Sequence, residues 1–180
     1  MSYSWEVGTD IKFFDNKTRL DFAYYSTKVD NQIVTVRVSP SSGYILQTRN
    51  EGAIRNHGIE FTLDQDIMKR KNFNWTMGLN FGLNRGTVVS LPEDVHEITG
   101  AQYGDIFTSA YLGGSTTALT GKDYQRNADG QVIVDENGYP KINPNKNEYI
   151  GNREAKFQAG LNSSMNIYGI QLSFLFDGRV

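Results

Sequence analysis

Apolar and polar residues alternate with a period of two along much of the chain. The clearest case is residues 73–84, where the odd positions carry large apolar side chains and the even positions carry Asn, Thr or Gly. This period indicates a β-strand with two unlike faces. Residues 73–84 at about 3.3 Å each predict a strand of roughly 40 Å, about twice the usual length in globular domains.

The same alternation predicts further strands on both sides of this segment. They are expected at 4–13, 20–24, 34–38, 58–64, 157–167 and 170–176. Ser163 interrupts the pattern within its segment. Because no segment has a helical period of comparable strength, the chain is predicted to be all-β, with about six or seven strands.

Short and long connections alternate between these strands. Short turns are predicted at 15–18, 65–72 and 168–169, and long loops at 27–51 and 85–153. Inside loop 85–153, Asp129-Gly130 and Asn137-Gly138 are tight-turn signals on either side of residues 131–134, which predicts a small hairpin there. A connection of this length is usually functional or disordered.

This organisation favours an antiparallel transmembrane β-barrel segment. Such barrels combine short periplasmic turns with long extracellular loops, and their strands alternate lipid-facing apolar residues with lumen-facing polar ones. A soluble β-sandwich has strands of about five or six residues and loops of similar length at both ends. A soluble β-sandwich that serves as a binding or adhesion module remains the alternative.

Composition taken alone suggests a different class of protein. A length of 180 residues and a mean hydropathy of −0.48 suit one soluble domain. The alternation explains that polarity, since the mean is taken over one apolar and one polar face. No apolar run approaches the roughly 20 residues that a membrane-spanning helix needs. The net charge of −2 argues against nucleic-acid binding, and the absence of cysteine excludes disulfides and thiolate catalysis.

No residue is assigned a catalytic, cofactor-binding or metal-binding role, so we expect no enzyme. His57 is interpreted as an ordinary position at the start of a strand. His96-Glu97 lacks the second histidine of the metalloprotease helix motif. The chain has no nucleophile elbow, P-loop or dinucleotide-binding fingerprint.

Three groups of residues have a structural interpretation beside a functional one. Asx residues at 127, 129, 135 and 137 suggest a calcium loop, but the EF-hand spacing is missing and tight turns fit better. The basic run at 69–71 is interpreted as a solvated turn rather than a basic binding patch. Aromatic residues near strand ends could be soluble core, but are expected to form membrane-interface girdles. They are Trp5, Phe13, Phe14, Tyr24, Tyr25, Phe73, Trp75 and Phe81.

An ordered set of short sequences resembles a known family. They are residues 5–16 (WEVGTDIKFFDN), 20–25 (LDFAYY), 50–60 (NEGAIRNHGIE), 73–75 (FNW) with Asn80, 129–130 (DG), 138–140 (GYP), 149–152 (YIGN) and 172–179 (LSFLFDGR). In this order, and over essentially the whole chain, they resemble the C-terminal part of the barrel of SusC/RagA-type TonB-linked outer-membrane transporters.

The resemblance implies a location and a function. Residues 1–180 would be the C-terminal part of a TonB-dependent receptor barrel in the outer membrane of a Gram-negative cell, in contact with outer-membrane lipid. The full transporter would import large nutrients, either glycan oligosaccharides or peptides. A SusD-like surface lipoprotein would cover its mouth, and TonB–ExbB–ExbD would supply energy through N-terminal regions missing here. Loop 85–153 would be extracellular and would contact the lid or the substrate.

The chain also departs from the family pattern. Ala155 stands where members usually have Pro, and members continue past Arg179 to a closing strand. The plug domain and the TonB box are missing as well. We therefore expect a fragment with too few strands to close a barrel.

Overall fold

The computed structural model describes residues 1–143 and 148–180 and is dominated by β-strands. In chain order they are β1 (Ser2–Phe13), β2 (Thr18–Arg37), β3 (Leu46–Arg70), β4 (Phe73–Ser90), β5 (Glu97–Tyr103), β6 (Ile106–Tyr111), β7 (Ala118–Gly121), β8 (Glu148–Asn152), β9 (Gln158–Ile167) and β10 (Ile170–Arg179). A short 3₁₀ turn covers Pro40–Ser42. Among the described residues, no helix has the length and apolar character needed to cross a membrane.

The chain divides into two compact units. The first, here the barrel unit, contains Met1–Val29, Arg55–Arg85 and Ala155–Val180. The second, here the loop unit, contains Asp30–Ile54 and Gly86–Glu154. The long strands β2, β3 and β4 each contribute residues to both units.

The larger sheet has six strands in the order β1-β2-β3-β4-β9-β10. The pairs β1–β2, β4–β9 and β9–β10 are antiparallel. This confirms the predicted antiparallel all-β architecture, and the six strands of this sheet agree with the six or seven expected for the barrel segment.

The register of the barrel unit separates an apolar face from a polar face. Apolar residues lie opposite one another in Phe73↔Ile167, Trp75↔Met165 and Leu79↔Leu161, while polar ones do so in Asn74↔Asn166 and Thr76↔Ser164. Many apolar side chains in the unit are exposed, including Trp5 at 54% and Phe176 at 65%. An apolar face of this extent is typical of a surface that contacts lipid or another protein.

Ser163, which interrupts the alternation, lies on the apolar face opposite Met77. Its Oγ accepts a hydrogen bond of 2.9 Å from Trp75 Nε1, and the residue is only 2% exposed. Both polar groups are therefore satisfied without water, which makes a serine tolerable on an otherwise apolar face.

Short turns join the strands at one end of the six-stranded sheet. They lie at residues 14–17, at Lys71 and Asn72, and at Tyr168 and Gly169, where the backbone N of Tyr168 donates to the carbonyl of Asn72 at 2.9 Å. The φ angles of 49° at Tyr168 and 88° at Gly169 fit a type I′ hairpin turn. The turn predicted at 168–169 is confirmed, whereas the one predicted at 65–72 is too wide because β3 continues to Arg70.

Aromatic residues occur at both ends of the apolar face. Trp5 and Phe13 are eight residues apart in β1, as are Phe73 and Phe81 in β4, and that spacing spans about 26 Å. The apolar band of an outer-membrane barrel is about 25 Å tall. Tyr25 does not belong to this set, because it pairs with Glu6 on the polar face.

Two further expectations are wrong. Residues 27–51 are not one long loop, because β2 runs to Arg37 and β3 begins at Leu46. Polar residues occupy both faces in much of this stretch, so the period-two signal is lost although the strands continue. Because β3 begins at Leu46, His57 lies well inside this strand rather than at a strand start.

Candidate ligand-binding groove in the loop unit

The predicted loop 85–153 contains a folded sheet. Strands β5, β6, β7 and β8 form a four-stranded antiparallel sheet in that order, and β4 itself continues to Ser90. At its centre, the hydroxyls of Ser109 and Thr120 are 2.6 Å apart, and Thr120 Oγ1 donates to Glu97 Oε1 at 3.2 Å. Both hydroxyl residues are buried. The sequence gives little sign of this sheet, because its strands are short and polar side chains lie at its centre.

Two Asx turns order the segment after β7. Asn127 Oδ1 accepts from the backbone N of Asp129 and Gln131, at 3.0 and 2.9 Å. Asp135 Oδ1 accepts in the same way from Asn137 and Tyr139, at 2.8 and 2.9 Å. The predicted tight turns are thus confirmed. Within the described ranges no group of three His, Cys, Asp or Glu residues is placed to hold a metal ion.

The predicted small hairpin at 131–134 is part of a larger arrangement. Three backbone segments meet, with Ile133 N donating to Gln125 O, Lys141 N to Ile133 O, and Gln125 N to Lys141 O, at 2.8 to 2.9 Å. Residues 131–134 therefore form one of three segments that each pair with the other two, rather than one arm of a hairpin. Residues 144–147, including Pro144 of the predicted loop, lie outside the described residues.

A groove is formed where the chain passes from β2 to β3. Ser39 caps the 3₁₀ turn, and Gly43 ends it with a φ of 80°, a left-handed conformation that suits glycine. The turn leaves a cavity of about 620 Å³, lined by Arg37 and Tyr44 among others. This volume falls within the range of small-molecule sites.

An ion pair fixes one wall of the groove. Arg49 Nη1 lies 2.6 Å from Asp94 Oδ1, and Arg49 Nε donates to Gln47 Oε1 at 3.0 Å. The hydrogen bond from Arg49 holds the pKa of Asp94 below its usual value. The carboxylate is ionised at neutral pH in any case, and the lowered pKa maintains the pair into more acidic solution.

A second cavity of about 490 Å³ shares lining residues with the groove. Arg37, Leu46 and Asp94 contribute to both, and the second cavity adds His96 and Glu97. The two together offer cationic, anionic and hydroxyl groups, an arrangement suited to non-covalent binding of a polar ligand.

The residues that line the groove share no local pattern that predicts it, and Asp94 is distant from the others in sequence. A usable signal was present, because Arg37 and Arg49 are the two basic residues of segment 30–54. Their significance depends on Asp94, which is 45 positions from Arg49 in the chain. Of the two histidines, His57 belongs to the barrel unit and His96 to the loop unit.

Comparisons of the sequence agree with the architecture. The family model described as "TonB dependent receptor-like, beta-barrel" matches residues 1–139. TonB-dependent receptor P3 of Formosa agariphila is 24% identical, with 97% of this chain and 20% of that protein covered. TonB-dependent receptor SusC of Bacteroides thetaiotaomicron is 26% identical over 76% of this chain and 14% of its own length.

Solved structures have the same fold. The RagAB peptide transporter matches with a TM-score of 0.74 at 17% identity, covering 98% of this chain and 20% of that one. The RagAB peptide importer in its open-open state matches with a TM-score of 0.76 at 16% identity, covering 99% and 20%. The chain thus spans about a fifth of the length of the first relatives and structures it matches.

Proposed function

Because the chain belongs to the TonB-dependent receptor β-barrel family, we propose that it forms part of the wall and the extracellular loops of a transporter that imports large nutrients. It is a SusC/RagA-type segment of an outer-membrane barrel. The family consists of receptors and transporters rather than enzymes. The observation that carries the proposal is the six-stranded sheet, whose apolar and polar faces stay separate across paired strands.

The partners are proposed from the relatives. A SusD-like lipoprotein would cover the transporter, and TonB–ExbB–ExbD would act through regions outside this chain. The cargo would be a glycan oligosaccharide or a peptide. The matches to SusC and to the RagAB peptide transporter support this assignment.

Residues 1–180 are assigned to the C-terminal part of the barrel, with loop 85–153 facing the cell exterior. Within the barrel unit the short turns share one end of the sheet, as periplasmic turns do. The loop unit offers exposed tyrosines for contact with a lid or a substrate, including Tyr44 and Tyr139, each 70% exposed. Tyrosine is a frequent contact residue at binding surfaces because it is both apolar and polar.

The test replaces residues 124–142 of the full-length protein with a short Gly-Ser linker. The backbone N of Asn143 donates to the carbonyl of Asp123 at 2.9 Å, so the two ends already lie together and the remaining loop is little disturbed. We expect weaker co-purification of the lipoprotein or slower uptake, with unchanged surface expression. As a control, Lys71 and Asn72 in a short turn are replaced by Asn-Gly, which should leave both readouts intact. Normal lid association together with normal uptake in the linker variant contradicts the assigned role of the loop.

The alternative of a soluble β-sandwich module is set aside. The family match and the two structural matches support a barrel segment, and the apolar face of the barrel unit is exposed rather than buried against a second sheet. A soluble module would purify without detergent, whereas a barrel wall with such a face requires it.

A further inference from the structure

We propose that the groove between β2 and β3 is a subsite for a carboxylated sugar residue of an oligosaccharide, with Arg37 as the group that binds the carboxylate. The inference rests on the proposed transport function, because it specifies the substrate chemistry of the same loop unit. It is carried by the charges of the groove, its size and the side chains that line it.

The groove is a cationic site in an acidic unit. The loop unit contains seven Lys and Arg residues against twelve Asp and Glu residues. Segment 30–54 nevertheless places both of its basic residues, Arg37 and Arg49, in the lining of this one cavity. Attraction of an anion is therefore local to the groove, while the acidic remainder of the unit disfavours polyanions elsewhere.

Only one of the two guanidinium groups is available to a ligand. Arg49 is held by Asp94 and Gln47 and is 24% exposed. Arg37 is exposed, and its guanidinium has no hydrogen-bond or ion-pair partner among residues 1–143 and 148–180. With Asp94 balancing Arg49, the lining has one net positive charge, which matches a ligand with one carboxylate. A guanidinium binds a carboxylate through two parallel hydrogen bonds.

The remaining lining suits a sugar ring. Tyr44 and Leu46 are exposed at 70% and 59% and offer apolar surface for a ring face. Ser39 and Thr48 add hydroxyl groups, which bond to Ser41 and Thr35 within the protein and retain capacity for a further hydrogen bond to a sugar hydroxyl. The cavity of about 620 Å³ can accommodate a ligand of this size.

The test measures binding of two matched probes to the full-length receptor in detergent by titration calorimetry. One probe is an oligosaccharide with a single galacturonic acid residue and hence one carboxylate, and the other is its methyl ester, which has the same backbone without the charge. The acid is expected to bind at least about tenfold more tightly than the ester. Arg37→Gln should abolish this preference and leave the affinity for the ester unchanged.

Lys122→Gln is the matched control, because it removes one positive charge from an exposed residue of the same unit outside the groove. The preference for the acid should survive this change. Equal affinities for acid and ester in the unaltered receptor overturn the proposal, and this comparison depends on no variant. A preference that persists in Arg37→Gln overturns it as well.

A third arm uses an acidic peptide and its amidated counterpart. Tighter binding of the peptide carboxylate than of the sugar acid, with loss of that binding in Arg37→Gln, overturns the sugar assignment.

Uptake is measured separately in cells. A receptor that binds the acid through Arg37 but imports neither glycans nor peptides contradicts the transport function and leaves the subsite standing, so the two failures are distinguishable.

Discussion

Gly58 in β3 provides a sharp test of the packing on the polar face of the barrel unit. Tyr25, from β2, lies over Gly58, and its hydroxyl donates to Asn84 Oδ1 in β4 at 3.3 Å. A β-carbon at position 58 would overlap the Tyr25 ring, whose Cζ would be 2.6 Å away, and the carbonyl oxygen of Leu83. The Tyr25 side chain therefore crosses β3 at Gly58, where only glycine leaves room for its ring.

The expected effect of Gly58→Ala follows from two opposing contributions. Replacing glycine by alanine within a strand stabilises the fold by about 0.5–1 kcal/mol, because it lowers the conformational entropy of the unfolded chain. Overpacking a filled site costs about 1–3 kcal/mol, and the upper range applies because the Leu83 oxygen is backbone and cannot rotate away. We expect a net loss of about 1–2 kcal/mol in the free energy of unfolding.

The matched control is Gly82→Ala in β4. A β-carbon at Gly82 would meet no atom within 4 Å, so this change should be neutral or slightly stabilising. Both variants of the full-length receptor are compared by guanidinium unfolding in detergent. If Gly58→Ala proves as stable as Gly82→Ala, Tyr25 does not occupy the space above Gly58 and the assigned register of the polar face is wrong.

Two further expectations concern single side chains. Ser163→Ala should destabilise the receptor by about 1–2 kcal/mol, because Trp75 Nε1 loses its acceptor on the apolar face, whereas Ser164→Ala on the polar face should have little effect in the same unfolding assay. The Arg49–Asp94 pair should persist as pH falls. The pKa of Asp94 is lowered, so its carboxylate stays ionised until the pH is below the usual aspartate pKa of about 3.9. The fluorescence of a Tyr44→Trp reporter in the groove should accordingly be constant from about pH 8 to about pH 5 and change only in stronger acid, and a transition near neutral pH would disprove the pairing.

The sequence was most informative where one strand face is apolar and the other polar. Apolar and polar residues alternate without interruption over residues 73–84, and β4 begins at Phe73 as predicted. The signal disappears in 27–33 and 46–51, where polar residues occupy both faces although β2 and β3 continue. Tyr24 and Tyr25 appeared equivalent as girdle residues, and only the pairing of Tyr25 with Glu6 assigns it to the polar face.

The candidate site was less predictable than the strands. The groove requires Asp94 to meet Arg49, and that contact depends on the path of the chain between β4 and β5 rather than on any local pattern. The four-stranded sheet β5–β8 was missed for a similar reason. Its strands are only four to seven residues long, and the polar residues Ser109 and Thr120 occupy its central positions, so no apolar alternation marks these strands in the sequence.

The proposed orientation of the barrel unit has its apolar face in contact with lipid and its polar face in contact with water. Single cysteines in the full-length receptor, placed at Met77 and Leu79 on one face and at Thr76 and Asn80 on the other, can carry spin labels in lipid bilayers. This orientation predicts that labels at 77 and 79 are relaxed mainly by oxygen, which partitions into lipid, and labels at 76 and 80 by a water-soluble nickel complex. Equal accessibility at adjacent positions, or the opposite assignment, would contradict it.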